Sequence, residues 1–358
     1  MLGRGGNDDD GVMQAPCHFK QHVQLVGGLA GTECGEGGGG SQDLDAGGAG
    51  EGCGYLSAGM GEIGIMNEPL VSIAMSVRNC GRTVAMAVQS ILNQTFSDWE
   101  LIIINNGSTD ETLSELAQFR DSRIAIYSDG ESKGLPARLN EALSLASGTY
   151  FARMDGDDVS YPRRLELQLA YLRLHREVDV LGGGVMVFGK DGCALGIRMA
   201  PECHSKICCR PYGGFSMAHP TFFGKTDWFR RFGYREIADR CEDQDLLLRA
   251  FRTSRYANLP CIVLGYHEQL NLSVGKILRS RRFFARMVLA EYVRHGEYWI
   301  GYRGVVEQIL KGAVDVMAVL TGMQYRLLRH RALPANSEEI ATWKEVWNSV
   351  NLKKTKPI

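Results

Sequence analysis

The sequence has almost no net charge, no C-x-x-C pair and no long uncharged apolar run. Its 358 residues carry a formal net charge of −1, so composition gives no reason to expect nucleic-acid binding. No two of the ten cysteines have C-x-x-C spacing, and Cys203, Cys208 and Cys209 lack the second ligand pair of a structural zinc site. This favours reduced thiols in a cytosolic protein. The apolar stretch 305–322 is interrupted by Glu307, Lys311 and Asp315. The sequence therefore predicts no membrane span.

Large apolar residues are scarce in the first 65 residues, which hold twenty of the 43 glycines. A segment with so little to bury is typically disordered. It also lacks the basic start, apolar run and cleavage site of a secretory signal, and the periodic sequence opens at Met66. We therefore predict a glycine-rich disordered segment at 1–65, a domain at 66–275 and a helical, basic C-terminal extension at 276–358.

Beyond residue 69, apolar runs typical of buried strands alternate with helical patterns. The runs are 70–77, 101–104, 123–127 and 150–154. A capping box of Ser108 and Glu111 indicates where the helix after the second run begins. This alternation predicts an α/β fold with an open, mainly parallel sheet and helices on both faces. Ligands of such sheets bind beyond the carboxyl ends of the strands.

Three carboxylates surround one glycine where the fourth run ends, in the sequence Asp155-Gly156-Asp157-Asp158. Hard divalent cations bind oxygen ligands of this kind, and phosphate groups often complete their coordination. A solvated acidic turn would have a similar composition. The position at the ligand-binding edge of the sheet favours a metal–diphosphate site.

A second acidic group, Glu242, Asp243 and Asp245, begins a predicted helix. The helix macrodipole is by itself a sufficient explanation for acidic residues in a first turn. The segment 276–331 is helical in pattern and carries eleven basic against four acidic residues, about +7. With its interleaved aromatic residues it fits either a solvated helical face or a surface that contacts an anionic membrane or a lipid-phosphate acceptor.

Four motifs in this order resemble the family 2 glycosyltransferases of the GT-A fold, in their non-processive bacterial branch, over residues 69–275. The motifs are SILNQTFSDWEL at 90–101, NGSTD at 106–110, ARMDGDD at 152–158 and EDQDL at 242–246. The resemblance implies inverting transfer of a sugar from a nucleotide-diphosphate sugar to an acceptor hydroxyl. No Q-x-x-R-W motif is present, which argues against a polymerising synthase.

The resemblance also implies roles for four carboxylates. Asp157 would hold Mn²⁺ or Mg²⁺ against the diphosphate, and Asp155 would contact the ribose or the metal. Asp243 would be the general base that takes the proton from the acceptor hydroxyl, and Glu242 would orient the base or the acceptor. Such a mechanism needs no covalent nucleophile, so the lack of a Ser-His-Asp or Cys-His signature is expected.

Ser76, Arg78 and Asn106 fall where the family lines its nucleotide-base pocket. Arg78 replaces a common aromatic residue, although a guanidinium also stacks on flat rings. Asn106 replaces a common aspartate, whose acceptor role its side-chain oxygen can still fill. His219 is expected to contact the acceptor or to support its loop. His267, near the region of the diphosphate, is interpreted as an ordinary packed or surface histidine.

The implied partners are a nucleotide-diphosphate sugar and a glycan or lipid-linked acceptor of lipopolysaccharide or exopolysaccharide synthesis. The implied location is the cytoplasm, with peripheral contact at the inner face of the plasma membrane through 276–331. One alternative is a catalytically silent GT-A protein that binds nucleotide or partners. Another is a sugar nucleotidyltransferase, but residues 78–82 are poor in glycine for the phosphate loop of that class.

Overall fold

The structure, a computed structural model, describes residues 68–238, 240–268, 273–323 and 332–351. The glycine-rich segment at 1–65 lies outside these residues. The chain from Glu68 onward forms one compact unit. The predicted division of this unit at 275/276 stays a prediction.

The four predicted apolar runs form the parallel half of the sheet, in the order β3-β2-β1-β4. These strands are β1 (Val71–Val77), β2 (Trp99–Asn105), β3 (Ile124–Ser128) and β4 (Tyr150–Asp155). Strands β1 and β2 are buried on both faces, as their nearly continuous apolar sequence indicates. The register pairs Ser76 of β1 with Asp155 of β4. The two residues therefore lie side by side at the carboxyl edge.

The sheet becomes mixed beyond β4. The remaining strands are β5 (Val159–Ser160), β6 (Val180–Phe188), β7 (Ala194–Arg198), β8 (Phe223–Lys225) and β9 (Tyr256–His267). Strand β8 pairs antiparallel with both β4 and β6, whereas β6 and β9 are parallel. The parallel pattern thus describes the N-terminal half. Strand β8 has only three residues, too few to show the periodicity that would have predicted it.

Helices cover both faces of the sheet, as predicted. They are α1 (Val84–Leu92), α2 (Thr112–Leu116), α3 (Leu135–Leu145), α4 (Arg164–Leu174), α5 (His204–Ile207), α6 (Thr226–Phe232), α7 (Glu242–Ala250), α8 (Val274–Arg294), α9 (Tyr298–Leu320) and α10 (Ser337–Asn351). Helices α1 and α4 pack in one apolar layer. Helices α3, α6, α7 and α8 pack in another.

Helix α2 begins later than the capping box predicted. Its first residue is Thr112, and the carboxylate of Asp110 accepts a hydrogen bond from the Thr112 backbone N–H at 3.1 Å. Ser108 does not cap the helix, because its hydroxyl accepts a hydrogen bond from the Asn79 N–H of the neighbouring loop at 3.0 Å. The Asp110 carboxylate therefore holds the first residue of the helix, in place of the predicted Ser108 cap.

The C-terminal helices pack on the α/β unit. Helices α8 and α9 form a hairpin against α7 and the 211–213 turn. Helix α10 inserts Trp343 against β9, where a Cβ added to Gly265 would meet the Trp343 ring at 2.3 Å. Only glycine permits this close approach of helix and strand. None of the helices in the described residues has both the length and the apolar character needed to cross a membrane.

Candidate active site

Two loops at the carboxyl edge, 79–81 and the 106–110 motif, are joined by reciprocal side-chain to backbone hydrogen bonds. Asp110 Oδ2 accepts a hydrogen bond from the Gly81 N–H at 2.9 Å, and Asn79 Oδ1 accepts one from the Thr109 N–H at 2.9 Å. Asn79 has a φ of 53°, a left-handed conformation that asparagine tolerates better than most residues. These bonds fix the backbone that follows Arg78, whose side chain is exposed.

Asn106 is buried and holds the loop before α3. Its Oδ1 accepts hydrogen bonds from the Lys133 N–H at 2.8 Å and from Arg138 Nε at 3.3 Å. Arg138 is fully buried and pairs with Asp129, whose pKa it holds far below the ordinary value. Contact of Asn106 with a nucleotide base stays a prediction. Arg138 had no assigned role in the sequence, because its pattern indicated only a helix.

The acidic turn after β4 concentrates charge in little space. The Asp155 carboxylate pairs with the buried Arg153 guanidinium. Asp158 is buried and accepts a hydrogen bond on Oδ1 from the His267 N–H at 2.9 Å, while its Oδ2 has no hydrogen-bond partner among the described residues. Burial, followed by the charges of Asp155 and Asp157, raises the pKa of Asp158 well above its ordinary value. A cation beside this turn would relieve that repulsion.

His267, interpreted from the sequence as an ordinary histidine, lies at the acidic turn. Its Nδ1 is 3.5 Å from Asp157 Oδ2, and its ring stacks on Phe188 at a centroid distance of 5.2 Å. It is the last residue of β9, beside the carboxyl end of the parallel strand β6. A polar residue at the end of a strand is the signal that would have found it, but the sequence beyond residue 200 did not reveal β9.

Asp157 and His267 fit a divalent cation in the kind of atoms they offer. A carboxylate oxygen and an imidazole nitrogen are both ligands for Mn²⁺, and carboxylates also suit Mg²⁺. The Nδ1 atom of His267 has no hydrogen-bond partner among the described residues. No group of three His, Cys, Asp or Glu side chains converges within the part of the chain that the structure describes. Any cation here would need further ligands from a bound diphosphate.

Glu242 and Asp243 begin helix α7, as predicted. Gln244 Nε2 donates a hydrogen bond to Asp243 Oδ2 at 3.0 Å, and Gln244 Oε1 accepts one from the Phe215 N–H at 2.7 Å. Burial raises the pKa of Asp243, and the hydrogen bonds from Gln244 oppose that rise. Burial, and then the Asp243 charge, raises the pKa of Glu242 to about 7. Both carboxyls are therefore poised closer to neutral pH than exposed ones.

Arg153 connects the two acidic groups. Its side chain is buried, and its charge interacts with Asp155 and Asp158 at the acidic turn and with Glu242 at the start of α7. The Arg153 charge also opposes the rise that burial causes in the pKa of Asp243. The structure therefore places the carboxylates of two motifs that are distant in sequence within electrostatic range of one buried cation. Arg153 belongs to the ARMDGDD motif at 152–158, but the sequence analysis assigned roles only to the aspartates of that motif.

His219 lies beside this cluster. It is buried, and its Nε2 is 3.1 Å from the Tyr234 hydroxyl. Asn140 in turn holds the backbone of Tyr234 with two hydrogen bonds, of 2.7 and 2.9 Å. Burial, together with the nearby Arg153 charge, lowers the pKa of His219 well below its ordinary value. The imidazole is therefore neutral, and it supports the loop that carries Tyr234.

Comparison of the sequence with known proteins identifies the family to which the chain belongs. The sequence profile described as Glycosyl transferase family 2 matches residues 72–224. EpsE of Bacillus subtilis is 40% identical over 189 residues, which cover 51% of this chain and 67% of EpsE. The O-antigen biosynthesis glycosyltransferase WbnJ of Escherichia coli is 35% identical over 234 residues, 59% of this chain and 90% of WbnJ. An uncharacterized glycosyltransferase of Haemophilus influenzae is 35% identical over 152 residues, and the chain spans only 47% of its length.

Solved structures agree on the fold. Residues 1–349 of S. aureus TarS match with a TM-score of 0.52 at 18% sequence identity, over 78% of this chain and 79% of that one. The same protein in complex with UDP matches with a TM-score of 0.51 at 17% identity, over the same shares. This likeness supports the GT-A fold. The chain belongs to glycosyl transferase family 2 and is a glycosyltransferase of the GT-A fold.

Proposed function

We propose that the protein is an inverting glycosyltransferase that moves one sugar from a nucleotide-diphosphate donor to an acceptor hydroxyl. The observation that carries this proposal is that two carboxylate groups lie within electrostatic range of the buried Arg153, which pairs directly with Asp155. One group, at the acidic turn, suits a cation and a diphosphate. The other, at the start of α7, offers a base. An inverting displacement needs these two functions on a single site.

The donor half consists of the rim of the parallel strands and the acidic turn. Ser76 and Arg78 flank the base pocket, and Asp155 contacts the ribose or the cation. Asp157 and His267 would hold Mn²⁺ or Mg²⁺, which when bound neutralises charge that develops on the departing diphosphate. Burial raises the pKa of Asp155, and the paired Arg153 guanidinium opposes that rise.

The acceptor half depends on Asp243. Gln244 occupies Asp243 Oδ2, so Oδ1 remains for the proton of the acceptor hydroxyl. A raised pKa makes the Asp243 carboxylate a stronger base than an exposed aspartate. Glu242 lies next to it, and its Oε2 has no hydrogen-bond partner among the described residues. Glu242 would orient Asp243 or the acceptor.

The acceptor is a lipid-linked or surface glycan, which places the working enzyme at the cytosolic face of a membrane. Supporting this choice, WbnJ is named for O-antigen biosynthesis, and WfgD of Escherichia coli is named as a glucosyltransferase acting on a GlcNAc-diphosphoundecaprenol. WfgD is 31% identical over 137 residues, 38% of this chain and 53% of WfgD. A catalytically silent relative would have no need to retain Asp155, Asp157 and Asp243 together.

A two-step assay tests the proposal. Thermal unfolding is measured with a panel of nucleotide sugars, with and without Mn²⁺, because a ligand at a hundredfold its Kd stabilises the folded state by about 2.7 kcal/mol. Release of free nucleotide diphosphate is then measured with lipid-linked acceptors. We expect Mn²⁺-dependent stabilisation by one nucleotide class and acceptor-dependent release. Stabilisation without release from any acceptor supports the silent alternative, and no stabilisation by any donor contradicts donor binding.

A further inference from the structure

Helix α9 is amphipathic, but its apolar side faces outward and its polar side faces the protein, the reverse of an ordinary surface helix. The side that packs against the protein carries small and polar residues, namely Gly301, Gly304, Gln308, Gly312 and Asp315. The outward side carries large apolar residues, among them Trp299, Tyr302, Val306, Ile309, Met317 and Leu320. Trp299 is 88% exposed and Leu320 is 73% exposed. An apolar stripe of this length on a surface marks an interaction site.

The inner side of α9 is held by hydrogen bonds and close packing, which prevent the helix from rotating about its axis to bury the apolar stripe. Arg281 of α8 donates hydrogen bonds to Gln308 Oε1 at 3.0 Å and to Asp315 Oδ2 at 2.8 Å. A Cβ added to Gly304 would lie 2.4 Å from the Val288 side chain. This packing fixes the rotation of α9, and the outward direction of the stripe is built into the fold.

A row of cations borders the apolar stripe. Arg282 and Arg286 are exposed on successive turns of α8. Between this row and α9 lies a groove of about 390 Å³ whose apolar lining includes Leu289 and Ile309. The hairpin thus places aliphatic surface, cations and the aromatic residues at the start of α9 on one outer face, which is the composition of a helix that lies in a membrane interface.

The acidic residues of the hairpin are turned away from this face or paired. Glu307 pairs with Arg210 and Lys311, both at under 3 Å. Asp315 and Glu291 are buried. A second copy of the chain would bring the arginine row against a face whose described residues offer it no acidic partner. Anionic lipid headgroups supply the missing negative charge, and acyl chains cover the stripe.

We propose that the outer face of the α8–α9 hairpin docks in the plane of an anionic lipid bilayer. The hairpin also connects this face to the acceptor side of the site. Lys311 Nζ donates a hydrogen bond to the Gly213 carbonyl at 2.8 Å, and the adjoining Phe215 is held by Gln244. That connection rests on the proposed function, because it assumes a lipid-linked acceptor. Docking itself does not depend on it.

Vesicle flotation with the full chain tests the docking. The vesicles contain either phosphatidylcholine alone or phosphatidylcholine mixed with about one third phosphatidylglycerol, whose anionic headgroups attract cations near the surface. One variant neutralises the cation row, Arg282→Gln with Arg286→Gln, and another makes the stripe polar, Trp299→Ser with Ile309→Ser. A matched control changes an exposed cation and an exposed apolar residue of α4, Arg173→Gln with Leu174→Ser.

We expect the parent and the α4 control to float with anionic vesicles, and both to be released by 1 M salt. Neutralising two cations should weaken binding roughly 25-fold, at about fivefold per charge near the surface. The polar stripe should weaken it at least tenfold. A parent that does not float, or hairpin variants that float like the parent, would overturn the proposal. So would a dimer that the stripe variant dissociates in the absence of any vesicle binding.

Discussion

The imidazole Nδ1 of His267 lies 3.5 Å from Oδ2 of Asp157, although the strands β9 and β4 that carry them to the site are not neighbours in the sheet. Strands β8 and β6 separate β4 from β9, and the turn after β4 reaches across them. Asp158 strengthens the link, because it accepts a hydrogen bond from the His267 backbone. The turn and the end of β9 therefore form one structural unit.

Replacing His267 by glutamine should weaken Mn²⁺ binding at least tenfold. Glutamine keeps a side chain of similar size but removes the imidazole nitrogen that faces Asp157. Mn²⁺ affinity in the presence of a nucleoside diphosphate, measured by titration calorimetry, checks this. The control is His175→Gln, since His175 is half exposed and pairs with Glu177 at 3.4 Å. Equal Mn²⁺ affinity in the two variants would show that His267 is not a ligand.

Two isosteric substitutions should separate donor binding from transfer. Asp157→Asn removes a charged oxygen at the cation and should abolish metal-dependent donor binding and turnover together. Asp243→Asn removes only the proton acceptor, so it should keep donor binding within about twofold and lose transfer by two to four orders of magnitude. Donor titrations and single-turnover rates distinguish the two effects. Transfer by Asp243→Asn at the parent rate would refute the assignment of the base.

The sequence predicted the part of the site that stands on regular, strongly apolar strands. Continuous apolar runs such as 70–77 indicate strands that are buried on both faces. At the edge where these strands end, Ser76 and Asp155 lie side by side. The sequence missed His267 and Arg153 for different reasons. His267 depends on the long-range pairing of β9, which no local pattern encodes. Arg153 depends on burial of a charge inside a strand, and a charged residue in a strand normally indicates an exposed face.

The C-terminal hairpin shows the same limit. The sequence predicted basic helices interleaved with aromatic residues, but the structure divides those residues into two classes. Phe284 and Tyr292 are buried in the core under α8, whereas Tyr298 and Trp299 are exposed. Which face of α9 points outward could not be read from periodicity, because an apolar stripe is ordinarily assigned to the core. Arg281, by pairing with Gln308 and Asp315, decides the orientation.

Stability should fall with rising pH through the titration of Glu242. The pKa of this 8% exposed carboxyl is about 7, against an ordinary value of 4.5. The folded state therefore keeps a proton that the unfolded chain has lost. The resulting stabilisation is complete below pH 4.5 and is lost as the pH rises through 7, and it amounts to about 3 kcal/mol.

Glu242→Gln should remove this pH dependence. Between pH 5 and pH 9 its unfolding free energy should decrease by about 3 kcal/mol less than that of the parent. Urea unfolding at each pH provides the measurement, and the exposed Glu345→Gln serves as the control. Parallel pH profiles for the parent and Glu242→Gln would mean that Glu242 is not protonated in the folded protein near neutral pH.

Helix α10 should help to position the candidate cation ligand His267, through contacts between the aromatic rings of Trp343, Phe188 and His267. Trp343 is 1% exposed and lies 4.9 Å from Phe188, the ring on which His267 stacks. Its Nε1 also donates a hydrogen bond to the Gly192 carbonyl at 2.7 Å. Trp343→Ala should destabilise the fold by about 3–5 kcal/mol. It should also weaken Mn²⁺ binding, because His267 loses the support that fixes its ring.

The control for this effect is Trp228→Ala, which removes a buried tryptophan of the other apolar layer, where Trp228 donates a hydrogen bond to Ser254 at 2.8 Å. Both variants should unfold at lower temperature, since each leaves a cavity of similar size. Only Trp343→Ala should lose Mn²⁺ affinity when binding is measured well below the unfolding transition. Equal losses in the two variants would trace the effect to general instability, whereas a selective loss would show that the stack from α10 through Phe188 positions His267.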